Sequence, residues 1–491
     1  MIAALIVLAA VLRLIHLGAQ SLWVDEMLTL IAATPKPGYP LGQLLLHNIH
    51  GPLHTVVVAL MRNASEAESW LRLPSAVAGV LSVPLLYAWV RPRFGARAAL
   101  WSAALLAVNP LHIHYSQELR NYSFAVLFVL AGCVQLDRLI ARWSAARGAV
   151  LAACIAAALL SNFSAFFSFV VQSAVFVKSS GASRRALGRW TLVAGLVVVL
   201  TSPWLYRVTT YVDLKKLATP VRPGALEESQ RLRGDTTFRI ESIPYALYSY
   251  SVGFALGPSV REMHGDPGAA VGRHKVPIAW TALLFGTFAV AGLWRAKRRG
   301  RWRALEPALY IAVPLAATLL LNWQDAKAFN VRYVLIGLPM YLTLIALGID
   351  GWGRRLSMLA AAIVVATYAV ALVNYYTDPQ RQKEDVRAAT RFVEARIQSG
   401  ECIFAPTVWQ IVAHYQRTSA PLHYVYGSPP GVSDRQLAEL FSTCPSFWYV
   451  RARPWVDDAD GRVLSAIESR YRRDDVLEFP GVTAMHFISK N

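Results

Sequence analysis

The chain has 491 residues, 55% of them hydrophobic and only 16% charged. That composition excludes an ordinary soluble protein, which at this length would be more highly charged and split into several domains. The net charge of +19 does not point to nucleic acid, because Lys and Arg cluster between apolar stretches and no basic patch stands on a soluble module.

A membrane helix needs about 20 apolar residues. Candidate spans in chain order are 2–19, 74–90, 97–110, 121–137, 148–161, 163–178, 187–205, 277–294, 304–322, 332–349 and 355–374. They predict an α-helical polytopic membrane protein with about 11 transmembrane helices. With the N-terminus in the cytoplasm, the cytoplasmic connections hold Arg91, Arg93 and Arg97, then Arg138, Arg142 and Arg147. Further on they hold Lys178, Arg184, Arg185 and Arg189, the run Arg295 to Arg303, and Arg354 with Arg355. Short outer connections hold Arg120, Lys327 and little else, so the excess of positive charge in the cytoplasmic loops sets the orientation. An odd number of spans places the C-terminus outside. The first stretch lacks a basic n-region and Arg13 interrupts its apolar run, which predicts a retained span rather than a cleaved leader.

The first long outer loop, 20–73, begins with Trp23-Val24-Asp25-Glu26 and should hold two interfacial helices, one of them within His47 to Arg62 with Pro52 near its start. Adjacent acids at a membrane surface have their proton affinities pushed apart, and such a carboxylate can act as a general base. The short loop around 116–120 carries Ser116-Gln117-Glu118-Leu119-Arg120 beside His112, His114 and Tyr115. The second long loop, 206–276, is polar and ends in an aromatic segment, Tyr245 to Phe254. Asn330-Val331-Arg332-Tyr333 opens the tenth span on the same outer side. Arginine suits phosphate because its fork donates two hydrogen bonds. Arg13, about a turn inside the first span, needs an anionic partner or a path to the headgroups. His112 and His114 lack a nearby set of further metal ligands. His50 and His54 share a helix face but read better as satisfied interfacial histidines than as a zinc pair.

From about 375 the pattern changes to alternating helices and short strands: helices at 384–397, 408–415, 434–441 and 463–471, strands at 402–405, 422–426, 447–450, 476–479 and 484–488. The chain is therefore divided into a membrane domain, 1–375, and a small extracytoplasmic α/β domain, 376–491. Cys133 and Cys154 lie within spans as packing residues. Cys402 and Cys444 stand at or just before predicted strands in an oxidising compartment and are expected to form a disulfide.

Leu17-Gly18-Ala19-Gln20-Ser21-Leu22-Trp23-Val24-Asp25-Glu26 resembles the first-loop signature of bacterial C-type (GT-C) glycosyltransferases, relatives of protein O-mannosyltransferases and the lipid A aminoarabinose transferase. His50-Gly51-Pro52-Leu53 is similar to their His-Pro-Pro-Leu segment, with Gly in place of the first Pro. Ser116-Gln117-Glu118-Leu119-Arg120-Asn121-Tyr122, Arg332-Tyr333 before Pro339, and Lys383-Glu384-Asp385 resemble further family segments. The resemblance implies a GT-C-like fold in the bacterial inner membrane and inverting transfer of a sugar from a polyprenyl-phosphate donor to an extracytoplasmic lipid, glycan or protein. It implies Asp25 as general base, Glu118 as the second acid, and Arg120 and Arg332 on the donor phosphate. Glu26, His50, His54, Tyr115, Gln117, Tyr122 and Arg13 complete the candidate donor- and acceptor-binding set. Some relatives use a divalent metal and many do not; no acidic cluster here compels one, and no metal ligand is assigned. Transport, a non-catalytic lipid-binding scaffold, and another lipid-phosphate enzyme such as a polysaccharide polymerase or ligase are the competing readings.

Overall fold

The computed structural model describes residues 1–34, 51–211, 242–300, 302–323, 329–424 and 432–490. Every predicted span contains a helix, but among the described residues six helices are long and apolar enough to cross a membrane: Glu68–Phe94, Tyr122–Ala141, Arg184–Thr209, Lys275–Arg298, Trp302–Leu320 and Arg354–Thr377. The helices in the other five stretches, Ile2–Leu14, Ala96–Val108, Ala145–Ser161, Ala165–Ser179 and Leu338–Asp350, are 13 to 17 residues long. The protein is thus mostly helical and multi-pass, with six candidate spans rather than an established eleven. The tenth stretch starts later than expected because Val331–Tyr333 and Leu335–Gly337 form 3-10 turns before Pro339 opens the α-helix.

The first long loop holds the helices Val24–Ala32 and Pro52–Arg62, while 35–50 lies outside the described residues. The loop expected over 206–276 is largely helical where described. Arg184–Tyr211 extends into it, and Ser242–Val252, Val260–Gly265 and Pro267–Arg273 follow. The aromatic segment Tyr245 to Phe254 packs inward: Tyr250 is fully buried and Asn109 Nδ2 donates to its carbonyl at 2.9 Å.

Charge also organises the arginine-rich end. Arg93 pairs with Asp137 and, at 3.0 Å, with the buried Glu306, while Arg303 reaches Asp137. Arginines that sequence reading assigned to topology alone therefore also tie three helices together.

The C-terminal region folds as a sheet of β1 (Cys402–Phe404), β2 (Leu422–His423), β3 (Ser446–Ala452), β4 (Tyr471–Phe479) and β5 (Val482–Ser489), in the order β2-β1-β3-β5-β4. β1 runs parallel to β2 and β3, and β5 is antiparallel to β3 and β4. Alternation along the strands splits two cores. Cys402, Phe404, Phe447 and Tyr449 meet Leu437, Leu440, Val463 and Ile467 on one face. Ile403, Trp448 and Val450 on the other face share a core with Leu22, Met27, Leu30, Val58, Leu71 and Leu119. The sheet is thereby packed onto the loop helices of the membrane region. Cys402 and Cys444 are joined by a disulfide with their Cα atoms 6.0 Å apart, since the parallel β1–β3 pair brings these strand starts together.

Candidate functional site

The site forms where the Val24–Ala32 helix, the 117–122 segment and Arg332 converge beneath the C-terminal sheet. Trp23 caps the helix, and Asp25 and Glu26 occupy its first turn, where carboxylates complement the positive helix end. Successive helical residues point about 100° apart, as 3.6 residues per turn require, so these neighbours have different surroundings. Glu26 is fully buried. It accepts two hydrogen bonds from Arg72, both 2.8 Å, and one from the Leu119 N–H at 2.7 Å. Burial alone would raise its pKa, but Arg72 and Lys383 outweigh that and hold it down to about 2. Asp25 instead pairs directly with Arg332 and keeps partial exposure. Burial again opposes ionisation, and Arg332, Arg120 and Arg453 together hold this carboxyl below the usual range.

Arg120 Nη1 donates to the Asp25 carbonyl at 2.9 Å and to Thr29 Oγ1 at 2.8 Å, and Nη2 reaches the Tyr122 hydroxyl at 3.3 Å. Its Nε is buried with no partner among the described residues. The guanidinium therefore lies beside Asp25 with donor capacity unused. Glu118 is buried; its Oε1 meets His114 Nε2 at 3.2 Å and Lys383 Nζ at 3.3 Å, while Oε2 has no partner among the described residues. Lys383 and His114 hold its pKa down against burial.

The remaining candidates divide by surroundings. Tyr122 lies under Arg120, with the guanidinium carbon 5.6 Å from the ring centroid, and packs edge-on against buried Tyr115. Gln117 donates to the Arg13 and Ile15 carbonyls at 3.2 and 2.7 Å, which ties the site loop to the end of the first helix. Arg13 points into the helix bundle, donating to the carbonyls of Leu106 and Ala107 and meeting His112 Nδ1 at 2.8 Å. Among the described residues it meets no carboxylate. His54 is buried against Ser75 Oγ, at 3.3 Å, and Phe124, at 5.2 Å between centroids. Burial and the nearby Arg120 push its pKa down to about 3, so it is a neutral imidazole. Its closeness to Arg120 brings it to the margin of the site. His50 lies outside the described residues.

Sequence reasoning missed three contributors. Arg72 falls at the end of the 20–73 loop in the sequence reading, whereas the helix Glu68–Phe94 already contains it, and its distant partner was invisible. Lys383 appeared only within a motif, yet its amine bridges Glu26, at 3.4 Å, and Glu118. Arg453, which pairs with Glu384 and lies 5.6 Å from the Trp23 ring centroid, had no local signal. Each carboxylate of the site faces a protein cation, but Lys383 engages only Oε1 of Glu118, and Oε2 is the oxygen left open to a further ligand among the described residues. Among the described residues, the one group with three suitable metal-ligand atoms is Cys402, His423 and Cys444, whose sulfurs are joined to each other.

Residues 50–206 match the dolichyl-phosphate-mannose-protein mannosyltransferase family model. A probable arabinosyltransferase B from Mycobacterium avium is 27% identical over 191 residues, 36% of this chain and 18% of that protein. The chain thus spans less than a fifth of that curated relative. The structure of ArnT from Cupriavidus metallidurans in the apo state superposes with a TM-score of 0.59 at 14% identity, covering 99% of this chain and 97% of that one. The same protein bound to undecaprenyl phosphate gives a TM-score of 0.55. An Archaeoglobus fulgidus oligosaccharyltransferase in complex with Zn and sulfate gives 0.53 at 13% identity, covering 99% of this chain and 73% of that one. With a helical body capped by a small sheet, the chain shares the fold of ArnT along its length, and its residues 50–206 are similar to the mannosyltransferase family.

Proposed function

We propose that the chain is an inverting glycosyltransferase that moves a sugar from a polyprenyl-phosphate donor to a lipid, glycan or protein acceptor on the extracytoplasmic face of a bacterial inner membrane. The observation that carries this reading is Asp25 held between Arg332, on its carboxylate, and Arg120, on its backbone carbonyl. Asp25 takes the proton from the acceptor hydroxyl or amine, which attacks the anomeric carbon from the face opposite the phosphate. The leaving lipid phosphate gains a negative charge as the bond breaks and needs no protonation. Arg120 and Arg332, brought from separate segments, stabilise that growing charge. At rest Arg332 is engaged with Asp25, so an arriving phosphate competes for the guanidinium and frees the carboxylate for the acceptor. Glu118 anchors Lys383 and orders the loop that carries Arg120. Undecaprenyl phosphate bound to ArnT, a protein of the same fold, supports a polyprenyl donor.

The test is transfer by the purified protein in liposomes supplied with labelled polyprenyl-phosphate sugars and cell-envelope acceptors. Wild type should release polyprenyl phosphate and label an acceptor. Asp25→Asn should lose about 10²–10⁴-fold in rate, the usual contribution of a general base, while still binding donor. A wild type that binds donor without turnover would favour the scaffold reading, and sugar crossing the bilayer unchanged would favour transport.

A further inference from the structure

The C-terminal sheet brings a cation of its own to the site. Arg453 follows β3, in the left-handed conformation at φ +52°, a region most residues avoid. That turn aims its side chain back over the membrane region. The guanidinium packs against the Trp23 ring, two residues from Asp25. Its Nε and Nη2 donate to Glu384 at 2.8 and 3.3 Å. Glu384 follows Lys383, whose amine is 5.8 Å from the same Trp23 ring. Counting the charges gives five cations, Arg72, Arg120, Arg332, Lys383 and Arg453, against four carboxylates, Asp25, Glu26, Glu118 and Glu384.

We propose that Arg453 is a positioning residue of the transfer site, its guanidinium, packed on the Trp23 ring, adding a third cation to the two that flank Asp25. This rests on Asp25 acting as the base. The charged groups that face Asp25 are Arg332, Arg120 and Arg453, and each favours its ionised form. The C-terminal region is thereby a part of the site and not only a cover.

The Arg453–Glu384 pair lets charge be separated from docking. Arg453→Gln and Glu384→Gln both break the pair, but only the first removes a cation near Asp25. The readout is the acid limb of kcat/KM against pH, which reports the free enzyme's base. Asp25 has its pKa depressed by this cation, so losing it lets the pKa rise and the limb moves to higher pH. Arg453→Gln should move it up by about 1 pH unit, the low end for a nearby opposite charge. Arg453→Lys should restore it, and Glu384→Gln should not raise it. The double variant Arg453→Gln with Glu384→Gln leaves no unpaired buried charge, so it folds where the single variant fails, and its limb should also rise. A limb unmoved in the double variant, or raised equally by Glu384→Gln, overturns the proposal and leaves Arg453 a docking residue. A limb that Arg332→Gln does not move either overturns the assignment of Asp25 as base instead.

Discussion

Two acids adjacent in sequence do different work here, and their partners decide which. Glu26 is sealed against Arg72 and Leu119, a structural joint between the Val24–Ala32 helix and the 117–122 segment. Removing one partner of a buried ion pair leaves a charge uncompensated, at a cost of about 3–5 kcal/mol. Glu26→Gln should therefore lower the thermal unfolding midpoint markedly in detergent; a midpoint within a degree of wild type would remove Glu26 from that role. Asp25 remains reachable. Arg120 and Arg332 flank it, and replacing either by Ala should weaken donor binding and slow transfer. Lys should restore only part, because a single ammonium does not reproduce the two-pronged guanidinium. Unchanged binding of a polyprenyl-phosphate sugar in both variants would make them interfacial anchors.

The helix Pro52–Arg62 shows how one residue sets an element. Its N-cap, Gly51, has φ +66°, and a Cβ there would lie 2.2 Å from Asn121 Nδ2 and 2.4 Å from the Ser161 carbonyl oxygen. Proline, which stands at this position in the resembled segment, is locked near φ −65° and cannot take this conformation. Glycine here lets the chain press against the 121 position and seat His54 behind Arg120. Gly51→Ala should cost more than the strain of about 1–3 kcal/mol usual for a side chain held in that region, because its Cβ also meets Asn121 and the Ser161 carbonyl oxygen. A chemical-unfolding series on the two proteins would show it, and an unchanged midpoint would contradict the strain argument. The 117–122 segment is held from both sides in a similar way: Ser75 Oγ donates to the Arg120 carbonyl at 2.9 Å, and Asn121 Nδ2 donates to the Ser161 carbonyl at 2.5 Å.

At the scale of the molecule, charge separates the two ends. The arginine clusters around Arg93, Arg138, Arg184 and Arg295 lie in terminal turns of their helices; for the helices Glu68–Phe94 and Tyr122–Ala141 this is the end opposite the one that adjoins Arg72 and Arg120. The proposed orientation puts these clusters in the cytoplasm, because basic connections are retained there. Reporter fusions at Lys297 and Asn491 should then report opposite compartments, and the same compartment for both would reject it. The shared core beneath the sheet, with Trp448 and Val450 against Met27, Leu30 and Val58, joins the C-terminal region to the helices Val24–Ala32 and Pro52–Arg62.

Local pattern was enough to locate most of the chain's elements. Each apolar run contains a helix, and the strand and helix alternation after 375 reappears in the sheet, because hydrophobic periodicity is a local property. The short motifs at 23–26, 116–122 and 332–333 likewise stand out on residue type alone. Tertiary structure decided what local pattern does not contain: which acid is buried and which stays reachable, and which charges pair across long separations. Arg72 with Glu26, Lys383 with Glu118 and Arg453 beside Trp23 are contacts between segments 46 to several hundred positions apart. No window of sequence holds both partners, and charge type alone does not choose among the many possible pairings. Whether an apolar helix of 13 residues crosses a bilayer is equally beyond local pattern, since its neighbours determine what satisfies its ends.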